Sequence, residues 1–489
     1  MSTGDSSTVY DLIVVGAGSG GFGAAYAAAR RGLRTLVVEK ADQLGGNAVR
    51  GGVNCWEMGA GGTGIPFDIY KNLKRQPEAI GVYSYGRHWC WQTPAEPYRF
   101  PGGEQVIDPA RRYLDTLRRH GSKGMGKDEA FCREHWHGVP FEPAAMDREM
   151  QRLLAATGCA EVALNTAFTD VRHDGRRITG LTLSDGRQVS AASYVDGTAD
   201  AHLCVALGCE TLVGQEGRER WAEPSAPEQA NRNVNGVTLI YRISPVATPA
   251  VEPLPDGIPA DCWWKPAFPG TSMNEYPNRD RNMNMLPTME GGEFMSLPYR
   301  EAYAECERRV RAHWHHYQQE YAEFRGFRLS WLAPGLGVRE SRRIVGEYVL
   351  TEHDLIAGLS GQEHADIICI ADHARDTHGT STGRAGCGEL TEPYGVPYRC
   401  LIPRGWRNLA IACRAASMSS IAASSCRLSR TMMQMGQAAG TAAVVAKAAG
   451  TDLASAPIPP LLEALRADHV QLSHPMPADL RAHLAAEDA

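Results

Sequence analysis

The stretch "LIVVGAGSGG", Leu12–Gly21, is an apolar run that ends in a glycine-rich turn. Gly16, Gly18 and Gly21 have the G-x-G-x-x-G spacing of a dinucleotide-binding turn, which counts as evidence only in a strand–turn–helix context. That context is present. "DLIVVGAG" predicts a buried parallel strand, "GFGAAYAAARRGL" a helix with an alanine face ending at Gly32, and "RTLVVEK" the next strand. Gly16 suits the tight turn and Gly18 a close approach of backbone to a pyrophosphate. Gly21, Ala25 and Ala29 let the helix lie near the sheet. The helix start offers unpaired N–H groups and the positive dipole end to phosphate. Glu39 closes the second strand, where a carboxylate can accept both hydroxyls of a ribose.

The whole run, G-x-G-x-x-G-x3-A-x3-A-x2-G-x6-E-x5-G-G, continues to Gly45 and Gly46. It resembles the N-terminal fingerprint of FAD-dependent oxidoreductases of the glutathione-reductase-like superfamily, with Thr35 where an apolar β-branched residue is usual. "ITGLTLSDGRQVSAASYVDGTADAHL" (178–203) reads as a hairpin turning at Asp185–Gly186, then a strand. It resembles the family's segment ending D-A-T-G-D, here Asp196-Gly197-Thr198-Ala199-Asp200, with alanine and glycine exchanged. "WRNLAIACRAASMSSIAASSCRLSRTMMQMGQAAGTAA" resembles the family's last flavin-binding strand and helix, with Gly436 and Gly440 packing the helix against the strand. "LGVRESRRIVGEYVLTEHDLIAG" (336–358) and "EPYGVPYRCLIP" (392–403) are similar to the FAD oxidoreductase group carrying the xanthan lyase name, distantly related to fumarate-reductase flavoproteins.

The resemblance implies an α/β fold. A Rossmann-like FAD-binding domain of glutathione-reductase type would be discontinuous over 1–68, 150–212 and 335–453. An inserted α+β substrate cap would span 69–149 and 213–334, with a C-terminal tail over 454–489 that frays at its end. Cofactor contacts are expected from Gly16, Gly18, Ser19, Gly20, Gly21, Glu39, Lys40, Gly45, Gly46, Asn47, Arg50, Gly51, Gly52 and Val53. Further contacts are expected from Asp196, Thr198, Ala199, Asp200, Ser424 and Arg427. A helix starting around Ser424–Ser425 would aim its N-terminus at the flavin, with Arg427 and Arg430 in its first two turns. Arg427 supports the flavin or its pyrophosphate, and Arg430 reads as a surface salt bridge. There is one such fingerprint, so the flavin is reduced by an organic substrate or by a separate reductase.

Bulk properties narrow the rest. The chain has 489 residues and a net charge of −6, with no nucleic-acid partner implied. Thirteen cysteines without a C-x-x-C pair read as reduced thiols of a cytoplasmic protein. No run approaches the ~20 apolar residues of a membrane span. No metal-ligand pattern appears: His313, His315 and His316 lack facing partners and read as surface or packing residues. A homo-oligomer is left open.

For chemistry, His378 in "ADHARDTHGTSTGRAGCGEL" is the candidate base, since its intrinsic pKa suits neutral pH. Asp376 either orients it or caps a turn. Tyr398 is the alternative proton donor. In "GVRESRR", Arg339 facing the site would suit a substrate carboxylate; an internal Arg–Glu pair is the other reading. Cys55 is either a flavin anchor or an ordinary buried thiol. Ser420 stands where relatives often carry a histidine. "WCWQTP" (89–94) is similar to the W-x-W-x-I-P signature of flavin-dependent halogenases, but Thr93 replaces the isoleucine and the segment lies too early. Trp56, Trp89, Trp91, Trp263 and Trp264 read as cap or core.

The expectation is a FAD-dependent oxidoreductase (dehydrogenase or oxidase) acting on a small organic molecule. A base removes a proton, a hydride passes to flavin N5, and O2 or another acceptor reoxidises the flavin. Alternatives are reduction of an activated C=C, halogenation or monooxygenation with an external reductase, and a non-catalytic FAD-binding partner protein.

Overall fold

The computed structural model describes residues 8–90, 98–120, 129–264, 271–285, 287–379 and 386–488. The opening motif forms β1 (Thr8–Val15), α1 (Ser19–Ala29) and β2 (Thr35–Val38). Parallel strands run in the order Ala160–Ala163, β2, β1, Gln188–Asp196, Leu409–Ile411. The strands Arg177–Leu183 and Phe168–Asp174 continue the sheet antiparallel beyond the start of Gln188–Asp196. The molecule is thus mixed α/β with a parallel-sheet core.

Register decides where a ligand can sit. Val15 stands beside Val38 and Asp196, and Asp196 beside Ile411. Four strand ends therefore release their turns at one edge of the sheet, where open α/β sheets bind ligands. Thr35 is fully buried in β2 and donates its hydroxyl to Leu33 O (3.0 Å), so the polar departure costs no unpaired group. Asn408 holds Leu409–Ile411 in place: its side chain bonds both the N–H and the C=O of Ile178 (2.9 and 3.0 Å).

The helix Ser429–Ala449 lies on α1, and glycines set the distance. A Cβ on Gly436 would stand 1.9 Å from Gly20 O, and one on Gly440 2.1 Å from Ala24 O. The expected packing of these glycines on the strand is corrected: they admit α1. The helix also begins at Ser429 rather than near Ser424. A separate helix, Ser420–Cys426, precedes it, and Arg427 lies between the two.

A second sheet of eight strands joins two distant segments. Its order is Phe327–Leu332, Tyr241–Pro245, Arg281–Met285, Thr271–Glu275, Tyr98–Ile107, Tyr83–Cys90, His137–Pro140 and Cys55–Trp56. The helix Tyr299–Glu320 packs on it through Cys306, Val310, Trp314 and Tyr317. His313 and His316 are buried there, and His313 bridges Tyr241 OH (2.7 Å) and Thr271 Oγ1 (3.1 Å). Trp56 and Trp264 are buried, and Trp91 lies outside the described residues, as does Thr93.

The tail departs from expectation. It forms the helices Ile458–Ala467 and Ala478–Glu487, and Asp488 is buried, accepting from Tyr113 N (2.7 Å) and Lys74 Nζ (2.8 Å). Among the described residues, no helix is long and apolar enough to cross a membrane.

Candidate functional site

A cavity of about 940 Å3 opens at the shared edge of the parallel sheet. The turns after β1, β2 and the strands ending at Asp196 and Ile411 all reach it. The second sheet walls its far side through Thr271, Ser272 and Asn284.

The glycine loop separates folding from binding. Gly16 has φ +87°, and a Cβ there would lie 2.7 Å from Gly197, so the fold itself requires glycine. Gly20 and Gly21 are equally constrained, with Cβ atoms 1.8 Å from Ala412 O and from Gly16 O. Gly18 differs. Its φ of −64° suits any residue, a Cβ would meet only Gly46 at 4.0 Å, and it lines the cavity. No packing requires glycine at 18, but a phosphate drawn against the backbone at the start of α1 would. Glu39 accepts Ala17 N (2.7 Å) and Ala41 N (2.8 Å), one on each oxygen. Each oxygen keeps a lone pair for a hydroxyl. These residues fit FAD.

Other expected cofactor residues divide. Ser19, Lys40, Gly46, Asn47, Arg50, Gly51, Val53, Thr198, Ala199 and Arg427 also line the cavity. Asn47 donates to Val338 O (2.8 Å), and Arg50 pairs with Asp42. Gly21, Gly45, Gly52, Asp196, Asp200 and Ser424 stand outside the lining. Asp196 instead organises the turn, accepting Thr198 N (2.9 Å), Thr198 Oγ1 (2.7 Å) and Cys204 N (3.0 Å). Gly52 carries φ +68° and offers its C=O to Asn282 (3.0 Å). Ser424 donates to Ile421 O within its own helix (2.7 Å). Asp200 accepts Ser341 Oγ (2.5 Å) and Arg414 (2.6 Å). Burial opposes its ionisation, but Arg414, His202 and Ser341 outweigh it and hold the carboxyl below the usual range.

The exchanged residues of 197 and 199 have a physical reading. A Cβ on Gly197 would lie 2.5 Å from Gly16 O, so that position must stay bare. Ala199 meanwhile adopts φ +67°.

At the Arg427 end, polar groups converge. His378 Nε2 meets Asp376 Oδ2 at 2.7 Å, and Arg427 donates to the same oxygen at 2.9 Å. The His378 backbone is fixed on both sides: its N–H donates to Asn235 Oδ1 (2.7 Å) and its C=O accepts from Gly236 N (2.9 Å). Asn235 is anchored in turn on Glu340 (2.7 Å), which pairs with the buried Arg343. With the proton on Nε2, Nδ1 is the basic nitrogen, and it has no partner among the described residues. Burial pushes His378 below the ordinary histidine range; Asp376 pulls it back, and Arg339 and Arg427 push it down again. Asp376 is held well below the usual carboxylate range, because His378 and Arg427 overcome the effect of its burial.

Arg339 lines the same wall. Its Nη1 donates to Gly236 O (3.1 Å) and Thr238 Oγ1 (2.7 Å), and Nη2 reaches Asn284 Oδ1 at 3.5 Å. The internal ion pair is made by Arg343 instead, with Glu340 and with Glu216 (2.7 Å). Ser420 serves that network, its N–H donating to Glu216 (2.9 Å).

Tyr398 is not brought to this wall. Its hydroxyl donates to Leu453 O (2.7 Å), and burial pushes its pKa up. Arg430 is buried rather than a surface ion pair, and binds Thr116 Oγ1 (3.0 Å) and Glu57 O. Cys55 lines the cavity, and burial pushes its thiol up. Sequence reasoning missed His373 and Glu57, paired at 3.0 Å, and Arg119, bidentate to Glu389 at 2.7 Å. The burial of Glu57 favours its neutral form, but His373 and Arg119 prevail and hold it at about 2. The signal for His373 was present, since "ADHARDTH" holds two histidines. Arg119 lies where no motif reaches.

The chain is 25% identical over 372 residues to a 3-oxosteroid 1-dehydrogenase of Mycobacterium tuberculosis, covering 60% of this chain and 63% of that protein. It therefore spans less than two thirds of that relative's length. Over 72 residues it is 54% identical to a digeranylgeranylglycerophospholipid reductase of Methanocaldococcus jannaschii, covering 15% and 16% of the two chains. Among solved structures, a geranylgeranyl bacteriochlorophyll reductase-like protein of Thermoplasma acidophilum is 14% identical. That alignment covers 98% of this chain and 96% of the other, with a TM-score of 0.44. The model of the family described as FAD dependent oxidoreductase matches residues 11–466, and the chain belongs to that family.

Proposed function

We propose that the cavity oxidises a small organic substrate, with His378 as the base that takes the substrate proton. The observation that carries this reading is the Asp376–His378 pair at 2.7 Å on the wall of the cavity that the glycine loop lines. Asp376 fixes the ring and its tautomer, leaving Nδ1 as acceptor, and the lowered pKa keeps that nitrogen unprotonated at neutral pH. Asn235 and Gly236 hold the backbone, so the base needs little reorganisation. FAD bound along Gly18 and Glu39 supplies a two-electron acceptor, reoxidised by O2 or another acceptor.

The parallel sheet is proposed as the glutathione-reductase type, discontinuous over 1–68, 150–212 and 335–453, and the second sheet, apart from its edge strand Cys55–Trp56, as the inserted substrate cap of 69–149 and 213–334. Among the described residues no cysteine is held in a disulfide, which agrees with a cytoplasmic setting. Reduction of an activated C=C would use the same groups in the opposite direction.

Anaerobic mixing with candidate substrates, watching the visible flavin band bleach, tests the proposal. His378→Ala should retain FAD and lose about 10²–10⁴ in reduction rate. Wild-type reduction rates in that variant would remove His378 from the mechanism.

A further inference from the structure

Charges on the wall around His378 are almost all paired. Asp376 is taken by Arg427 and His378, and Glu57 by His373. Of the arginines that line the cavity, Arg339 and Arg430 make no ion pair among the described residues. The two terminal nitrogens of Arg430 are occupied by Thr116 and the Glu57 carbonyl; Arg339 keeps donors open. Among the described residues it has no carboxylate partner, and its three contacts are to neutral oxygens. Those contacts occupy Nη1 and touch Nη2 only at 3.5 Å, the limit for a hydrogen bond. Nε is unpaired among the described residues. The Nε–Nη2 edge of a guanidinium presents two parallel N–H donors, matched to the two oxygens of a carboxylate. Nε of the neighbouring Arg427 is a buried donor without a partner among the described residues.

An unmatched guanidinium inside a cavity is costly unless something neutralises it. Burial, with Arg427 nearby, pushes Arg339 down to about 9, while Asp376 and Glu57 oppose that shift. An arginine kept beside a second arginine, with Asp376 and Glu57 near but neither in contact with it, is arranged for an anion that arrives.

We infer that the substrate carries a carboxylate, received by the free Nε–Nη2 edge of Arg339 beside His378. This rests on the oxidation reading only for the word substrate. The carboxylate sets which molecules enter and how they are oriented toward Nδ1 of His378. The Thr238 and Gly236 contacts stop the guanidinium from turning, so the fork is preset.

The test is equilibrium binding to the FAD-loaded protein, which needs no turnover. Benzoate and cyclohexanecarboxylate are titrated against benzamide and cyclohexanecarboxamide, and perturbation of the visible flavin band is read. Each acid should bind at least ten-fold tighter than its amide. Arg339→Gln should abolish that preference with FAD still bound, and Arg339→Lys should restore only part of it, since an ammonium keeps the charge without the fork. His378→Ala should keep the preference, so a failure of the base assignment and a failure of this one are distinguishable. Equal affinity for acid and amide overturns the inference, as does no response to either acid at millimolar concentration. A preference that survives Arg339→Gln overturns it too, as does a variant whose only change is in the flavin spectrum.

Discussion

Gly18 and Gly20 stand two residues apart, one bare toward the cavity and the other held bare by the fold. A methyl on Gly20 would lie 1.8 Å from Ala412 O, while one on Gly18 would meet only Gly46 at 4.0 Å. Gly18→Ala should therefore leave the melting of the FAD-free protein unchanged within about 0.5 kcal/mol. It should weaken FAD by roughly 5–150-fold, the 1–3 kcal/mol of an overpacked methyl. Gly20→Ala should lower the melting temperature even without FAD. Fluorescence titration of FAD, with melting curves of both apo variants, separates the two roles. The histidine is tuned by opposite charges in the same way. Asp376 raises the pKa of His378, and Arg427 and Arg339 lower it. Asp376→Asn should move its titration to lower pH, and Arg427→Gln to higher pH. Both can be followed by NMR of 13Cε1-labelled histidine, with His378→Asn as the assignment control. Shifts of the same sign in both variants would refute the electrostatic account of the base.

Among the elements, the first strand–helix–strand was legible because each signal sat within about 30 residues and agreed with its neighbours. The hairpin at Asp185–Gly186 was legible for the same reason, Gly186 supplying φ +89°. The break at Arg427–Leu428 was not. The serine-rich run 417–425 offers several caps at once, and only tertiary structure selects Ser419, whose Oγ accepts Ala422 N (3.1 Å). In "GVRESRR" both readings hold at different residues: 336–341 are not strand, so Glu340 pairs with Arg343 three positions on while Arg339 faces the cavity. The second sheet was illegible for a deeper reason: it pairs residues near 100 with residues near 273, a match no local period encodes. The join of α1 to Ser429–Ala449 is the element contact that the site depends on most, because Ser19 and Ser429 meet at 2.7 Å where both helices start. Gly436→Ala places a methyl 1.9 Å from Gly20 O and must part the helices. A loss of about 3 kcal/mol or more in the thermal stability of the apo protein is expected, together with weaker FAD retention. A variant as stable as wild type would show that the helices do not need this closeness.

Across the whole molecule, the far end of the chain reaches the cavity. Leu480 and Leu484 are buried from the helix Ala478–Glu487, and Asp488 holds Tyr113 N and Lys74. Tyr113 donates its hydroxyl to Gly62 O (2.5 Å), and its ring lies 5.8 Å from the Arg430 guanidinium. Arg430 in turn grips Thr116 and the backbone of Glu57, and both Arg430 and Glu57 line the cavity. Residues that composition marks as a fraying tail thus brace one corner of the site. Removing residues 475–489 exposes the two leucine sites, about 1.5–3 kcal/mol each, and leaves a buried backbone donor at Tyr113 unpaired. The truncated protein should melt several degrees lower and release FAD more readily on dilution. It should also become open to protease near residues 67–74 and 113, which the tail contacts. The distinguishing readout is the FAD off-rate. If truncation lowers the melting temperature but leaves FAD release at the wild-type rate, the tail stabilises only its own contacts and the link through Tyr113 and Arg430 is wrong.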